Sequence, residues 1–179
     1  MSQIENKNQK QTTIIMNILI LITVTALCVT VWALFFRGPG VVLTPDYAPQ
    51  KEEIHVQPIP DDTGEKMEAD EGGGAVSLTY GTNVSIILSK EIATLMFVNP
   101  GKSTQDMVVQ VVIQDTVLVQ SGRLTPGNQV TTLDLLEGAA KMLSPGGYEG
   151  KLVVLYYDPE TGEKAIVNTE IPVIISVVE

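Results

Sequence analysis

Residues Ile14 to Phe36 form a run of 23 positions without a charged side chain, bracketed by Lys7 and Lys10 before it and Arg37 after it. At about 1.5 Å per residue, a helix of that length reaches about 34 Å, enough to cross a hydrocarbon core of about 30 Å. The spacing therefore predicts a transmembrane helix over 14–36 and a tethered domain beyond it. A cleaved leader would have a shorter apolar stretch ending in a small-x-small site. Here the chain leaves through Trp32, Ala33, Leu34, Phe35 and Phe36, so an uncleaved signal-anchor is expected. Cys28 follows Leu27 rather than a small residue, and apolar chain continues past it. It reads as an apolar side chain facing lipid rather than an acylation site.

The basic residues around the run differ little in number between its two sides. The short polar tail 1–13 is easily left in the cytoplasm, whereas a long C-terminal part translocates largely regardless of its charge. Trp32, Phe35 and Phe36 fall where an interfacial aromatic belt belongs. The expected address is the cell membrane, single-pass, with the N-terminus cytoplasmic, the C-terminal domain extracellular and residues 14–36 in contact with the lipid bilayer.

The formal charge of -10 is unevenly spread. From Gly38 to Gly74 stand Asp46, Glu52, Glu53, Asp61, Asp62, Glu65, Glu68, Asp70 and Glu71 against Lys51 and Lys66. Pro39, Pro45, Pro49, Pro58, Pro60 and the triplet Gly72-Gly73-Gly74 interrupt any apolar period there. Such a stretch reads as an acidic, extended linker over 37–74, with a reach of about 100 Å. Val41 to Leu43 or Ile54 to Val56 are the pieces of it able to join the domain as an edge strand. The acidic balance excludes a nucleic-acid binder, because phosphate recognition needs Lys and Arg. The lone cysteine lies in the apolar run, so residues 75–179 form no disulfide; the absence of such staples fits a bacterial surface protein better than a small exported eukaryotic domain.

From Ala75 onward, short runs rich in Val, Ile and Thr alternate with Gly, Pro, Asn and Asp turns at intervals near ten residues. About eight or nine strands are predicted, hence an all-β, two-sheet sandwich over 75–179. Met107–Ile113 and Thr116–Gln120 flank Gln114-Asp115 as one hairpin. Leu152–Tyr157 and Ala165–Thr169 flank Asp158-Pro159-Glu160-Thr161-Gly162 as another. Pro172 argues that Val173–Val178 lies at an edge or starts afresh after a bulge. Leu135, Leu136, Ala139, Ala140 and Leu143 fall at helical spacing and predict one short helix.

The segment Leu143-Ser144-Pro145-Gly146-Gly147-Tyr148 resembles the approach to the penultimate strand of immunoglobulin-like and fibronectin type III-like domains. That resemblance implies a tyrosine corner, with the Tyr148 phenol bonding back to the backbone, in an immunoglobulin-like β-sandwich. The antibody cysteine pair and core tryptophan are absent from this sequence. The whole plan of tail, anchor, acidic spacer and small β domain resembles single-span surface proteins of Gram-positive bacteria, a likeness that implies an address and no activity.

No catalytic, cofactor-binding or metal-binding residue stands out. His55 is the sole histidine and lies in the linker, so Ser103, Ser121 and Ser144 have no His partner within 75–179. Asp158, Glu160 and Glu163 cluster in one turn, where solvated charges are favoured over a glycosidase pair and weak calcium binding is left open. Asp61, Asp62 and Glu65 read as solvating charges, and Gly72–Gly74 as a hinge. The reading is a non-catalytic binding or structural module with a protein partner at the cell surface. The alternative is an accessory subunit of a membrane or cell-envelope complex, with Thr23, Thr25 and Thr30 bonding inside the bilayer.

Overall fold

The computed structural model describes residues 15–30, 44–71 and 73–179. The chain divides into two compact units, Met1–Val41 and Val42–Glu179. In the first, residues 15–30 form an α-helix whose side chains are all exposed. The Thr23, Thr25 and Thr30 hydroxyls donate to the carbonyls of Leu19, Leu21 and Ala26, four residues back, at 2.8, 2.6 and 2.8 Å. Among the described residues no helix is long and apolar enough to cross a membrane. The expected span includes Ile14 and residues 31–36, which lie outside the described residues, as do Lys7, Lys10 and Arg37.

The second unit is all-β. Its strands are β1 (Gln57–Pro58), β2 (Thr79–Tyr80), β3 (Asn83–Ile87), β4 (Ile92–Asn99), β5 (Asp106–Ile113), β6 (Thr116–Gln120), β7 (Asn128–Asp134), β8 (Gly146–Tyr157) and β9 (Lys164–Val178). They make one mixed sheet in the order β1-β7-β4-β3-β9-β8-β5-β6, with β2 also on β4. Every pairing is antiparallel except β3 with β9, which run parallel from Asn83↔Ile174 to Ile87↔Val178.

The sheet curls because period-two alternation gives each strand an apolar side, and these sides share one core. In β9, Ile171, Val173, Ile175 and Val177 are buried while Pro172, Ile174, Ser176 and Val178 are exposed. The inward set meets Val84 and Ile86 of β3, Leu95 and Phe97 of β4, Val130 and Leu133 of β7, and Val109 and Leu152 of β5 and β8. The other face of β5 and β8 carries a second apolar cluster of Val108, Val112, Val117, Val153, Leu155 and Tyr157. That two-sided burial is why β5 reads as a nearly continuous apolar run rather than an alternating one.

Both expected hairpins are present. Gln114 and Asp115 take φ values of 47° and 62°, the left-handed pair that a two-residue turn between β5 and β6 requires. Pro172 lies inside a continuous β9, opposite Lys151 of β8, so the expected break is corrected. The Ile174 N–H donates to Thr82 O at 2.9 Å, and period two points the missing N–H of Pro172 to the same side. There β3 has not yet begun, so the proline leaves no ladder bond unmade. The edge portion of β9 thus precedes Val173 rather than following it.

The helix expected at Leu135–Leu143 reduces to a short 3-10 turn, Ala139–Met142. Leu135 and Leu136 are held as extended chain by bonds to Glu91 O and Leu118 O, and Gly138 enters at φ 82°. Long-range strand contacts outweigh helical spacing there.

The linker expectation is corrected for residues 44–71, which lie along the strands. Ala48 and Lys164 N–H donate to Gly162 and Asp46 carbonyls at 2.8 and 2.9 Å. Glu53 is buried and accepts the Gly122 N–H at 2.6 Å and the His55 N–H at 3.0 Å. β1 pairs Gln57 and Pro58 with β7, just beyond the Ile54–Val56 piece considered for an edge strand. Asp62 accepts the Gly101 N–H at 2.6 Å, and the Lys66 ammonium donates to Ser103 O at 2.7 Å. Gly101 and Gly122 permit this close approach, since a Cβ at Gly122 would lie 2.8 Å from the Glu52 and Glu53 backbone. Prolines and acids that look like a solvated spacer are here a strap whose carboxylates receive strand-loop amides.

The Tyr148 hydroxyl donates to Ser144 O at 2.9 Å and accepts from Ser144 N–H at 3.3 Å, closing the loop before β8 as the tyrosine-corner expectation requires. Tyr148→Phe is expected to lower unfolding stability by about 1 kcal/mol, read as a shifted urea midpoint at constant m-value.

Candidate interaction site

Of the acids and hydroxyls singled out in the sequence, Asp158, Asp62, Ser103 and Ser121 are occupied by local structure. Asp158 Oδ1 accepts the N–H groups of Glu160 and Thr161 at 2.9 and 2.7 Å, and these bonds lower its pKa. The Asp62 carboxylate is lowered by its bonds from Gly101 and then Gly64. Among the described residues no group of three or more His, Cys, Asp and Glu side chains is placed to hold a metal ion. Ser103 Oγ donates to Ser77 O, and Ser121 Oγ to Gly122 O, at 2.9 and 2.8 Å. His55 meets Asp134 at 3.1 Å rather than standing alone in solvent. Gly72 of the expected hinge lies outside the described residues.

Arg123 stands between exposed Glu52 of the strap and buried Asp106 of β5. Arg123 lies 3.6 Å from both Asp106 and Glu52, and Asp106 is 2% exposed. Burial raises the Asp106 pKa, and the Arg123 charge opposes that rise. Relative to the unfolded chain, folding therefore disfavours the ionised form of Asp106. Its contribution to stability is full below the ordinary value of 3.8 and is lost as pH rises through the elevated folded value. Asp62 and Asp158 act oppositely, contributing above the ordinary range and losing that contribution as pH falls. Comparing wild type with Asp106→Asn by urea titration from pH 3 upward should show the wild type losing stability relative to the variant as pH rises.

The arrangement with capacity for a partner lies on the outer face of β5, β8 and β9. A groove of about 720 Å³ is bounded by Thr82, Val112, Glu149, Gly150, Pro172 and Ile174. A second groove of about 180 Å³ continues past Gln110, Val117, Val153, Asn168 and Glu170, and both share Val112, Asp115 and Lys151. Gly150 lets β5 and β8 close behind the first groove, since a Cβ there would press on Ile175 and lie 2.7 Å from Val112 O. Lys151 bonds Glu170 at 3.0 Å across β8 and β9.

Beside these grooves β9 has an edge without a neighbouring strand among the described residues. There β3 joins it from Ile174 on, the strap pairs with it at Glu163 and Lys164, and Thr44 of the strap borders the smaller groove with Asn168 and Glu170. β9 keeps one register with β8 from Asn168 to Val177, so its amides alternate sides. The N–H groups of Asn168 and Glu170 point the same way as that of Ile174, and among the described residues no strand lies beyond them. Sequence reading did not identify Asp115, Lys151, Asn168 or Glu170 as neighbours. Asp115 lies in the turn between β5 and β6, Lys151 on β8, and Asn168 and Glu170 on β9, and no local spacing signals that sheet pairing brings these three elements together.

No family model matches this chain, and no curated protein does either. Among solved structures, the crystal structure of the E. coli chaperone DraB is similar at a TM-score of 0.36 and 16% identity. The likeness covers 57% of this chain and 54% of that chain, about half of each.

Proposed function

We infer that this chain is a single-pass membrane protein that presents an immunoglobulin-like two-sheet sandwich outside the cell as a non-catalytic binding module. The observation that carries the binding role is the stretch of β9 that has no neighbouring strand among the described residues, beside two grooves, because an unpaired strand edge offers backbone donors and acceptors to another chain. The sandwich reading is supported by the order β7-β4-β3 followed by β9-β8-β5-β6 around one core, with β3 shared between the halves, and by the Tyr148 corner. The anchor reading is supported by the uncharged run Ile14–Phe36 and by threonine hydroxyls bonded within their own helix, as lipid demands. Those internal bonds use the hydroxyl protons, which weakens the alternative of an accessory subunit held by threonine contacts in the bilayer.

Two measurements test the proposal. A cysteine at exposed Lys141 should react with a membrane-impermeant maleimide on intact cells; reaction only after lysis would reverse the topology. Crosslinked partners should persist when 14–36 is replaced by an unrelated anchor, and their loss would favour the accessory-subunit alternative.

A further inference from the structure

We propose that the β9 edge at Asn168 and Glu170, which no strand covers among the described residues, takes an extended segment of a partner protein, with a Lys or Arg facing Glu170 and an apolar side chain two residues away over Pro172. This rests on the binding-module reading and names the chemistry that the module recognises. Three observations converge on it.

The first is backbone polarity. Asn168 and Glu170 present N–H groups toward the position that β3 fills farther along β9, so an added strand would continue β3's place in the sheet. The second is shape. Pro172 and Ile174 are exposed on the outer face, and the larger groove opens between them and Val112. A side chain from the added strand that projects to this face reaches apolar surface there, while its neighbours two residues along stand over Glu170.

The third is charge. The grooves are lined by Asp115, Glu149 and Glu170 against Lys151 alone, and Lys151 is already bonded to Glu170. The Glu170 side chain remains 54% exposed. In a chain of net charge -10, a second copy brings like charge to this face, whereas a basic segment relieves it. The opening is also short. It is bounded by Pro172 at one end and by a register irregularity opposite Leu155 and Tyr157 at the other. Backbone pairing alone is therefore brief, and side chains set the selectivity.

The test uses the full chain in nanodiscs of zwitterionic lipid and fluorescein-labelled octapeptides read by anisotropy. The probe repeats Lys-Thr-Val-Thr, which puts lysine and valine on one face of a strand; its twin carries Glu for Lys. The lysine peptide should bind about fivefold more tightly than its twin, and Glu170→Lys should reverse that order. N-methylation of alternate peptide amides, which leaves the protein unchanged, should remove binding when the methylated face is the one toward β9. Equal binding of both peptides, or indifference to N-methylation of either face, would overturn the proposal, as would dimerisation through β9 in sedimentation. A photo-crosslinker at Asn168 on cells separates the two levels. A partner captured only from a distant position such as Lys90 keeps the binding module and discards this edge.

Discussion

Glu53→Ala is expected to lower unfolding stability by about 3 kcal/mol and to open residues 44–71 to protease, although the sequence places Glu53 in an apparently solvated acidic stretch. The carboxylate is 8% exposed and receives two backbone amides, from Gly122 and His55. Truncation leaves both amides without their acceptor, and bonds to a charged group are worth more than neutral ones. Glu68, exposed in the same stretch, serves as control; Glu68→Ala should leave the urea midpoint unchanged. If Glu53→Ala and Glu68→Ala behave alike, the strap is not part of the folded unit, and the long-spacer expectation returns.

Ile86→Ala is expected to cost about 2 to 5 kcal/mol, the range for removing a fully buried aliphatic side chain. Ile86 is 0% exposed and belongs to β3, which pairs antiparallel with β4 and parallel with β9. Its side chain enters the core between the two halves of the sheet, so the surroundings have little freedom to collapse into the space. Ile174→Ala on the exposed face of β9 should change stability by less than about 0.5 kcal/mol. Denaturation curves of both variants, with m-values compared, would separate loss of stability from loss of cooperativity. A small effect at Ile86 would mean that β3 does not join the halves.

Strand identity was legible where one face is buried and the turn residues are local. Gln114-Asp115 between two valine-rich runs is enough for a hairpin, and the Ser144 to Tyr148 loop contains both partners of its own hydrogen bond. The strap was not legible, because its ties reach 39 residues in one case and 69 in another. A proline-rich acidic segment has no core of its own, and only the strand loops that receive it make it ordered. Pro172 misled for a related reason: whether a proline damages a strand depends on which side lacks a neighbour.

By itself the amino-acid order determined the β character of 75–179, its main hairpins and the long uncharged run near the N-terminus, because each follows from periodicity or turn chemistry within about ten residues. The tertiary structure alone decided that β3 sits between β4 and β9, that residues 44–71 belong to the folded unit, and that Asp115, Lys151 and Glu170 share one face. Those features arise from pairings between residues far apart in the chain, and backbone hydrogen bonds are blind to side-chain identity. Which strand edges meet is settled only when the apolar faces close together on a common core.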